Sequence, residues 1–380
     1  MTSPDHTRPA SIPRDRYANI DGLRAIAALC VMVEHMFGDL LRQTAPGAGP
    51  MREVGTALSQ SISLGRYGVA LFFLISGFVV PFSIRGEHPL AHFAISRLFR
   101  LYPALWFALA VLTATAWLSG LPPTVATVLA NMTMAPTVLG QPWLSPIYWT
   151  LFVELVFYVL IGLLFSAETL RRVAVLLALA LGLIAATVVP VMLRIHGVAT
   201  LPVQYLGLHL AYLFIGLLLR LGLVERCRGA IGAALLLVLA QGGAVLLVAD
   251  FSLARADMFI IDGRVPVLSA YALAVATFWI AVRADRPRSM LLAQIGLISY
   301  SMYLLHWSVN NALYHFMPLT GSMRDVVTMI VCTLSTLVVA WMVYRLVELP
   351  MIRFGRHVSK EWAGRDLRFR NEARREASHL

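Results

Sequence analysis

Residues 173–181 read Val-Ala-Val-Leu-Leu-Ala-Leu-Ala-Leu, a stretch in which every side chain is apolar. Strands of a membrane β-barrel alternate apolar and polar side chains, so this unbroken run predicts a helix. Similar runs of about 18 to 25 residues recur along the chain, and each is long enough to cross the hydrocarbon layer. Because backbone polar groups in lipid must be satisfied within the segment, such runs must be helical. The sequence therefore predicts an all-α, polytopic membrane protein.

The composition supports this class and argues against two others. Hydrophobic residues make up 59% of the chain and charged residues only 13%, about half the charged share of a soluble protein. The net charge of +11 does not indicate nucleic-acid binding, because the basic residues are spread over short loops and a tail. The three cysteines show neither pairing nor CxxC spacing, so neither a disulfide framework nor a metal site is predicted.

The apolar runs predict about ten transmembrane helices, with boundaries uncertain by a few residues. They lie near residues 19–41, 66–84, 98–119, 146–166, 172–193, 203–221, 230–249, 265–282, 290–315 and 325–347. If both termini are cytoplasmic, 22 basic residues lie in cytoplasmic segments and seven lie on the other side. The positive-inside rule favours this orientation. The predicted organisation is a cytoplasmic arm at 1–18, a membrane domain at 19–350 and a basic cytoplasmic tail at 351–380, placed near anionic lipid.

One external segment differs from a simple connection. Residues 120–145 contain four prolines and no charged residue. Either a partly re-entrant, lid-like segment or an ordinary apolar loop would fit this composition.

Ionisable and polar side chains at membrane depth are costly, so each is a candidate functional residue. Estimated at 1.5 Å per helical residue, their depths form two layers. The outer-half layer comprises Glu34, His35, Glu154, Tyr303 and His306, and the cytoplasmic-side layer comprises Asp21, Arg24, Arg97, Arg100, Arg345 and Glu348. A histidine beside carboxylates is suited to general-base activation of a hydroxyl, and a layer of arginines is suited to a polyphosphate ligand.

Each of these residues also has a structural interpretation. A lone histidine such as His306 often bonds a neighbouring helix, Arg97 and Arg100 could anchor the membrane surface, and Trp149 could belong to an interfacial aromatic belt. Ser76 and Gly77 either leave room for a slender ligand or let two helices approach closely. Glu348 and Arg345 could form an i, i+3 ion pair.

Several motifs nevertheless occur together. Arg24 and His35 have the spacing Arg-X10-His, and residues 72–78 read Phe-Phe-Leu-Ile-Ser-Gly-Phe. Residues 97–103 combine Arg-X-X-Arg with Tyr-Pro, and residues 149–154 read Trp-Thr-Leu-Phe-Val-Glu. Residues 296–306 read Gly-Leu-Ile-Ser-Tyr-Ser-Met-Tyr-Leu-Leu-His, and Glu-Leu-Pro ends the tenth span. In this order the motifs resemble the acyltransferase-3 family of bacterial inner-membrane O-acyltransferases, in the stand-alone form without an esterase-like domain.

The resemblance implies a donor, a mechanism and a location in the inner membrane. Acyl-CoA, usually acetyl-CoA, would bind from the cytoplasm through Arg97 and Arg100, with Arg24, Ser76 and Gly77 along its path. His35 would act as general base, oriented by Glu34 or Glu154, and Glu154 is preferred because adjacent residues point about 100° apart on a helix. A transiently acylated His35 is the competing mechanism.

The acceptor would be a sugar-containing molecule such as a polysaccharide, lipid-linked sugar or exported oligosaccharide. Trp149, Tyr300, Tyr303 and His306 would line its cavity, and loops 42–65, 120–145 and 250–264 would select it. No metal is implied. The alternative from another class is a transporter or flippase with a buried proton relay, for which the sequence lacks internal symmetry and paired broken helices.

Overall fold

A computed structural model describes residues 14–86, 88–200, 205–255, 263–284 and 289–362. Across these ranges the chain forms thirteen α-helices and no strand. The helices are α1 Arg14–Gln43, α2 Pro50–Ser61, α3 Leu64–Val79, α4 Pro89–Leu118, α5 Val125–Met132, α6 Trp149–Ser166, α7 Val173–Ile195, α8 Leu206–Leu223, α9 Ala230–Ala254, α10 Arg264–Arg283, α11 Met290–Leu297, α12 Ser299–Tyr314 and α13 Arg324–Val343. Most of the predicted N-terminal arm and of the predicted tail lies outside the described residues.

The predicted all-α, multi-pass class is confirmed. Within the described residues, eight helices are long and apolar enough to cross a membrane. The first and ninth of the ten predicted spans are not among them. Helix α1 has ample length, but it carries Asp21, Arg24, Glu34 and Asp39 and is therefore less apolar than the others.

The ninth predicted span is two helices instead of one. Helix α11 ends at Leu297, Ile298 leaves the helical conformation with φ −96° and ψ 2°, and α12 begins at Ser299. Gly296 lies against α1 so closely that a Cβ atom there would be 1.8 Å from the carbonyl oxygen of Asp21. The break therefore falls where the backbone of this segment packs closely against α1.

The chain divides into two compact units. The first contains Met1–Pro81, Val153–Ser299 and Tyr314–Ile330, and the second contains Phe82–Phe152, Tyr300–Leu313 and Val331–Leu380. The predicted site residues are divided between them.

In the first unit, contacts show the relative directions of the helices around α3. Glu34 of α1 contacts Gly65, whereas Ala27 and Val31 contact Gly68, so α1 and α3 are antiparallel. Helices α3 and α8 cross where a Cβ atom on Gly77 would meet the Leu213 carbonyl and one on Gly216 would meet the Leu74 carbonyl. Phe73 packs against His209 and, further along both helices, Phe78 lies under the Arg220 guanidinium, so α3 and α8 are parallel and pack through small residues. Both relations agree with the predicted alternation of spans.

In the second unit, the segment after α4 folds back along it. Trp106 Nε1 donates a hydrogen bond to the Met132 carbonyl at 3.1 Å, and the Tyr102 hydroxyl donates to the Thr133 carbonyl at 3.4 Å. Since Trp106 lies about 18 Å before the end of α4 by helical rise, α5 returns over much of that helix. The Asn131 side chain bonds both Thr127 and Pro142, which fixes the return. Residues 120–145 therefore form a folded segment that packs back along α4 rather than an extended loop.

Candidate active site

Glu34 holds the start of α3. Its carboxylate accepts hydrogen bonds from the Ser63 hydroxyl at 3.2 Å and the Leu64 backbone N–H at 3.0 Å. A carboxylate at a helix N-terminus satisfies a backbone donor that has no partner within the helix and interacts favourably with the helix dipole. Glu34 is therefore a positioning residue for the turn of α1 that carries half-buried His35.

Three residues that sequence reasoning did not select lie near the same end of α3. The Arg66 side chain, in the first turn of α3, hydrogen-bonds Tyr271 of α10. Arg66 is also close enough to His209 of α8 to interact with it electrostatically, and His209 packs against Phe73 with ring centroids 6.2 Å apart. We call Glu34, His35, Arg66, His209 and Tyr271 the first polar level.

The first polar level was only partly visible in the sequence. Arg66 lies at the edge of a predicted span, where an arginine is expected to be a surface charge. His209 lies inside a predicted span, and an ionisable residue at that depth was a usable signal. No motif surrounds it, however, and only the packing of α8 beside α3 places it near Arg66.

Glu154 occupies a different level. Its Oε1 atom accepts hydrogen bonds from the Ser76 hydroxyl at 3.0 Å and the Tyr158 hydroxyl at 2.5 Å. The antiparallel register of α1 and α3 places Ser76 beside the turn of α1 that contains Asp21 and Arg24. These two residues form an ion pair at 3.1 Å. Asp21, Arg24, Ser76, Glu154 and Tyr158 form the second polar level.

The two levels are too far apart for the predicted pairing of Glu154 with His35. Leu64, which contacts Glu34, and Ser76, which contacts Glu154, are separated by about 18 Å along α3. The predicted outer-half layer is therefore divided. The predicted depth of Glu154 requires a span that starts at the membrane surface near Pro146, but the residues before it fold back along α4, and α6 begins only at Trp149.

Ser76 and Gly77 do not form the predicted passage for a slender ligand. The Ser76 hydroxyl is engaged by Glu154. The space beside Gly77 is filled by the backbone of α8, because a Cβ atom there would lie 1.8 Å from the Leu213 carbonyl oxygen. Gly77 thus serves close helix packing, the structural alternative considered above.

The predicted phosphate-binding arginines lie in the second unit. Arg97 Nη2 donates to the Ser83 hydroxyl at 2.9 Å, and the Arg97 guanidinium lies over the Phe93 ring. One turn further, half-buried Arg100 precedes Leu101, whose carbonyl accepts a hydrogen bond from the Tyr300 hydroxyl at 2.8 Å. The beginning of α12 therefore lies beside the Arg97–Arg100 turn.

A buried carboxylate lies in the same unit, close in sequence to the end of α13. Glu348 closes a π-helical turn, Tyr344–Glu348, and accepts a hydrogen bond from the Ser301 hydroxyl at 2.8 Å. The Arg345 guanidinium lies over the Trp341 ring. Single π-helical turns inside α-helices are frequent at functional sites.

The predicted acceptor-binding residues of α12 have mainly positioning contacts. The Tyr303 hydroxyl donates to the Ile147 carbonyl at 2.7 Å and also bonds the Thr150 hydroxyl at 2.8 Å. His306 is buried, and its Nδ1 atom lies 2.9 Å from the Tyr303 carbonyl oxygen. Trp149, the first residue of α6, is half-buried. These contacts fix α12 against the turn that precedes α6.

Comparison with known proteins decides the family. A family profile described as an acyltransferase domain matches residues 17–345, most of the chain. The chain belongs to the acyltransferase-3 family. Over 93 residues it is also 34% identical to the acyltransferase MdmB of Streptomyces mycarofaciens, a match that covers 23% of this chain and 21% of that protein. No solved structure matches.

Membership of the acyltransferase-3 family favours an acyltransferase over the transporter alternative. The matched range contains both polar levels, the Arg97–Arg100 turn and α12. In the described residues, no group of three or more His, Cys, Asp or Glu side chains is placed to hold a metal ion.

Replacing Glu34 with glutamine tests its positioning role. The change is expected to destabilise the protein by about 0.5–2 kcal/mol, because a neutral amide replaces the charged acceptor at the start of α3. The measurement is thermal unfolding of purified protein in detergent. Glu53→Gln is the control, since Glu53 is exposed in the first turn of α2. Equal shifts in both variants would contradict the capping role.

Proposed function

We propose that the protein is an inner-membrane O-acyltransferase that moves an acetyl group from acetyl-CoA to a hydroxyl of a sugar-containing acceptor. Family membership supports the reaction type. The observation that carries the assignment of residues is the position of His35, beside a carboxylate fixed to the α3 N-terminus and at the level of Arg66 and His209.

In the proposed reaction, His35 takes the proton of the acceptor hydroxyl as its oxygen attacks the thioester carbonyl. The new C–O bond forms, the C–S bond breaks, and the proton leaves with the CoA thiol. General-base assistance of this kind contributes about 10²- to 10⁴-fold. Glu34 keeps His35 in place through its bonds to Ser63 and Leu64, and Glu154 stabilises the second polar level instead of orienting His35.

The donor is proposed to enter from the cytoplasmic side predicted by the loop charges. Arg97 and Arg100 are one turn apart on α4 and half-buried, a geometry suited to phosphate oxygens. Arg24 of the second polar level is proposed as a further donor-binding residue. Acetyl transfer through a transient acyl-His35 would use the same residues and remains the competing mechanism.

The test of the function is transfer of radiolabelled acetyl from acetyl-CoA into membrane glycans. Membranes that contain the protein are expected to accumulate label in a glycan fraction, and membranes without it are not. The chemistry of the labelled product identifies the acceptor. Equal labelling in both membranes would contradict the proposed donor and acceptor.

Arg97→Ala tests the donor site. The variant is expected to raise the KM for acetyl-CoA about tenfold or more, because a charged hydrogen bond to a phosphate is lost. If Arg97 binds the 3′-phosphate, the variant also loses any preference for acetyl-CoA over its 3′-dephospho form. Arg356→Ala is the matched control, since Arg356 is exposed beyond the π-helical turn. An unchanged KM in Arg97→Ala would leave the arginine as a structural residue.

A further inference from the structure

Within the described part of the chain, helix α12 carries a buried amide that makes no hydrogen bond. Asn310 is 1% exposed, and neither its Nδ2 nor its Oδ1 atom has a hydrogen-bond partner among the described residues. Burying an amide without hydrogen bonds costs free energy, more so where no water is at hand. A polar side chain kept at such a cost inside a membrane protein indicates a functional role.

Asn310 lies on the same face of α12 as two predicted acceptor-binding residues. It lies four residues after His306 and seven after Tyr303, so the three share one face of the helix. Tyr303 fixes this face to the turn before α6 through the Ile147 carbonyl. Two residues before Ile147, the Ser145 hydroxyl is also buried and without a partner in the described part of the chain.

The chemistry of this face favours a neutral, hydroxyl-bearing ligand. Helix α12 contains no Arg, Lys, Asp or Glu, so it offers no charge for the phosphates of CoA. An asparagine amide presents two donors and one acceptor, and a serine hydroxyl both donates and accepts. Neighbouring hydroxyls of a sugar also donate and accept, which matches this set.

We infer that Asn310 binds hydroxyls of the sugar-containing acceptor, on the α12 face that it shares with His306. This inference rests on the proposed function and adds a residue that determines acceptor binding. A binding site built to hydrogen-bond a hydroxyl discriminates strongly against analogues that lack it, because its own buried polar atoms are then left unpaired. Asn310 therefore contributes to acceptor selection as well as to affinity.

The chain offers a matched pair of variants. Asn310→Leu removes both polar atoms at similar volume, and Asn311→Leu makes the same change at the exposed neighbouring position. Asn310→Leu is expected to keep or raise the Tm, because an unsatisfied buried amide disappears. Its acceptor KM in the labelled-acetyl assay, measured with the glycan fraction that wild-type membranes label, is expected to rise at least tenfold. The KM for acetyl-CoA and all values for Asn311→Leu should stay near wild type.

Two outcomes would overturn the inference. A folded Asn310→Leu protein with a wild-type acceptor KM would make the amide a structural residue. If Asn310→Leu does not fold, Asn310→Ser and Asn310→Ala replace it in the test. Serine keeps a donor and an acceptor, so Asn310→Ser is expected to raise the acceptor KM less than Asn310→Ala. Equal acceptor KM values in these two smaller variants and in wild type would also reject the role.

A binding measurement separates this inference from the proposed function. A photoreactive alkyl glucoside is expected to label the peptide that contains Asn310 in wild type, and to label it at least tenfold less in Asn310→Leu. Labelling without any acetyl transfer by wild type would preserve the sugar site and reject the acetyl-CoA donor. Acetyl transfer by wild type, with equal labelling of wild type and Asn310→Leu, would preserve the proposed function and reject the sugar site at Asn310.

Discussion

Replacing His35 with alanine is expected to lower acetyl transfer by about 10²- to 10⁴-fold, because the variant lacks the proposed general base. The measurement is incorporation of labelled acetyl into membrane glycans at equal abundance of each protein. Acetyl-CoA binding should remain, since the proposed phosphate contacts come from Arg97 and Arg100. Loss of transfer with retained donor binding would assign His35 to the chemical step.

The control for this experiment is His196→Ala. His196 is an exposed histidine just beyond α7, in the same unit as His35. The His196→Ala variant should transfer acetyl at the wild-type rate. Transfer that persisted in His35→Ala would exclude this residue from the reaction and direct attention to His209, the other imidazole of the first polar level. An acylated protein trapped in wild type but not in His35→Ala would favour the covalent mechanism.

The positions of most helices were predictable from the sequence, whereas the break between α11 and α12 was not. Apolar runs have a length that the bilayer dictates, so most predicted spans have a helix of matching length. The break at Ile298 could not be predicted in this way, because Gly296 and Ser299 do not interrupt the apolar pattern enough to end a span. The break becomes evident only from the contact of Gly296 with the Asp21 carbonyl.

Positions along a single helix were predictable, whereas positions between helices were not. The adjacency of Glu34 and His35 and the one-turn spacing of Arg97 and Arg100 follow from the sequence alone. The level of Glu154 depends on where α6 starts relative to α3, which no local pattern specifies. For the same reason the sequence does not distinguish Asn310 from Asn311, since their difference lies in what packs around them.

A marked loss of stability is expected for Gly77→Ala. A methyl group there would lie 1.8 Å from the Leu213 carbonyl oxygen, and the obstructing atom belongs to a backbone that a rotamer change does not move. Helices α3 and α8 would have to separate by more than 1 Å, which also loosens the reciprocal contact of Gly216 with Leu74. Overpacking of this kind typically costs about 1–3 kcal/mol, occasionally more. For a chain of 380 residues this cost corresponds to a Tm about 1–4 °C below that of wild type.

Gly243→Ala provides the matched control, because a Cβ atom at this position in α9 meets nothing within 4 Å. Alanine is the better helix former, so this variant should unfold at or slightly above the wild-type temperature. The comparison separates the loss of a glycine from the loss of close packing. Glu34 is held by Leu64 of α3 and by Ser63 just before it, and Glu154 is held by Ser76. Displacing α3 in Gly77→Ala should therefore also reduce acetyl transfer. An unchanged Tm in Gly77→Ala would mean that α3 and α8 do not pack backbone to backbone at this glycine.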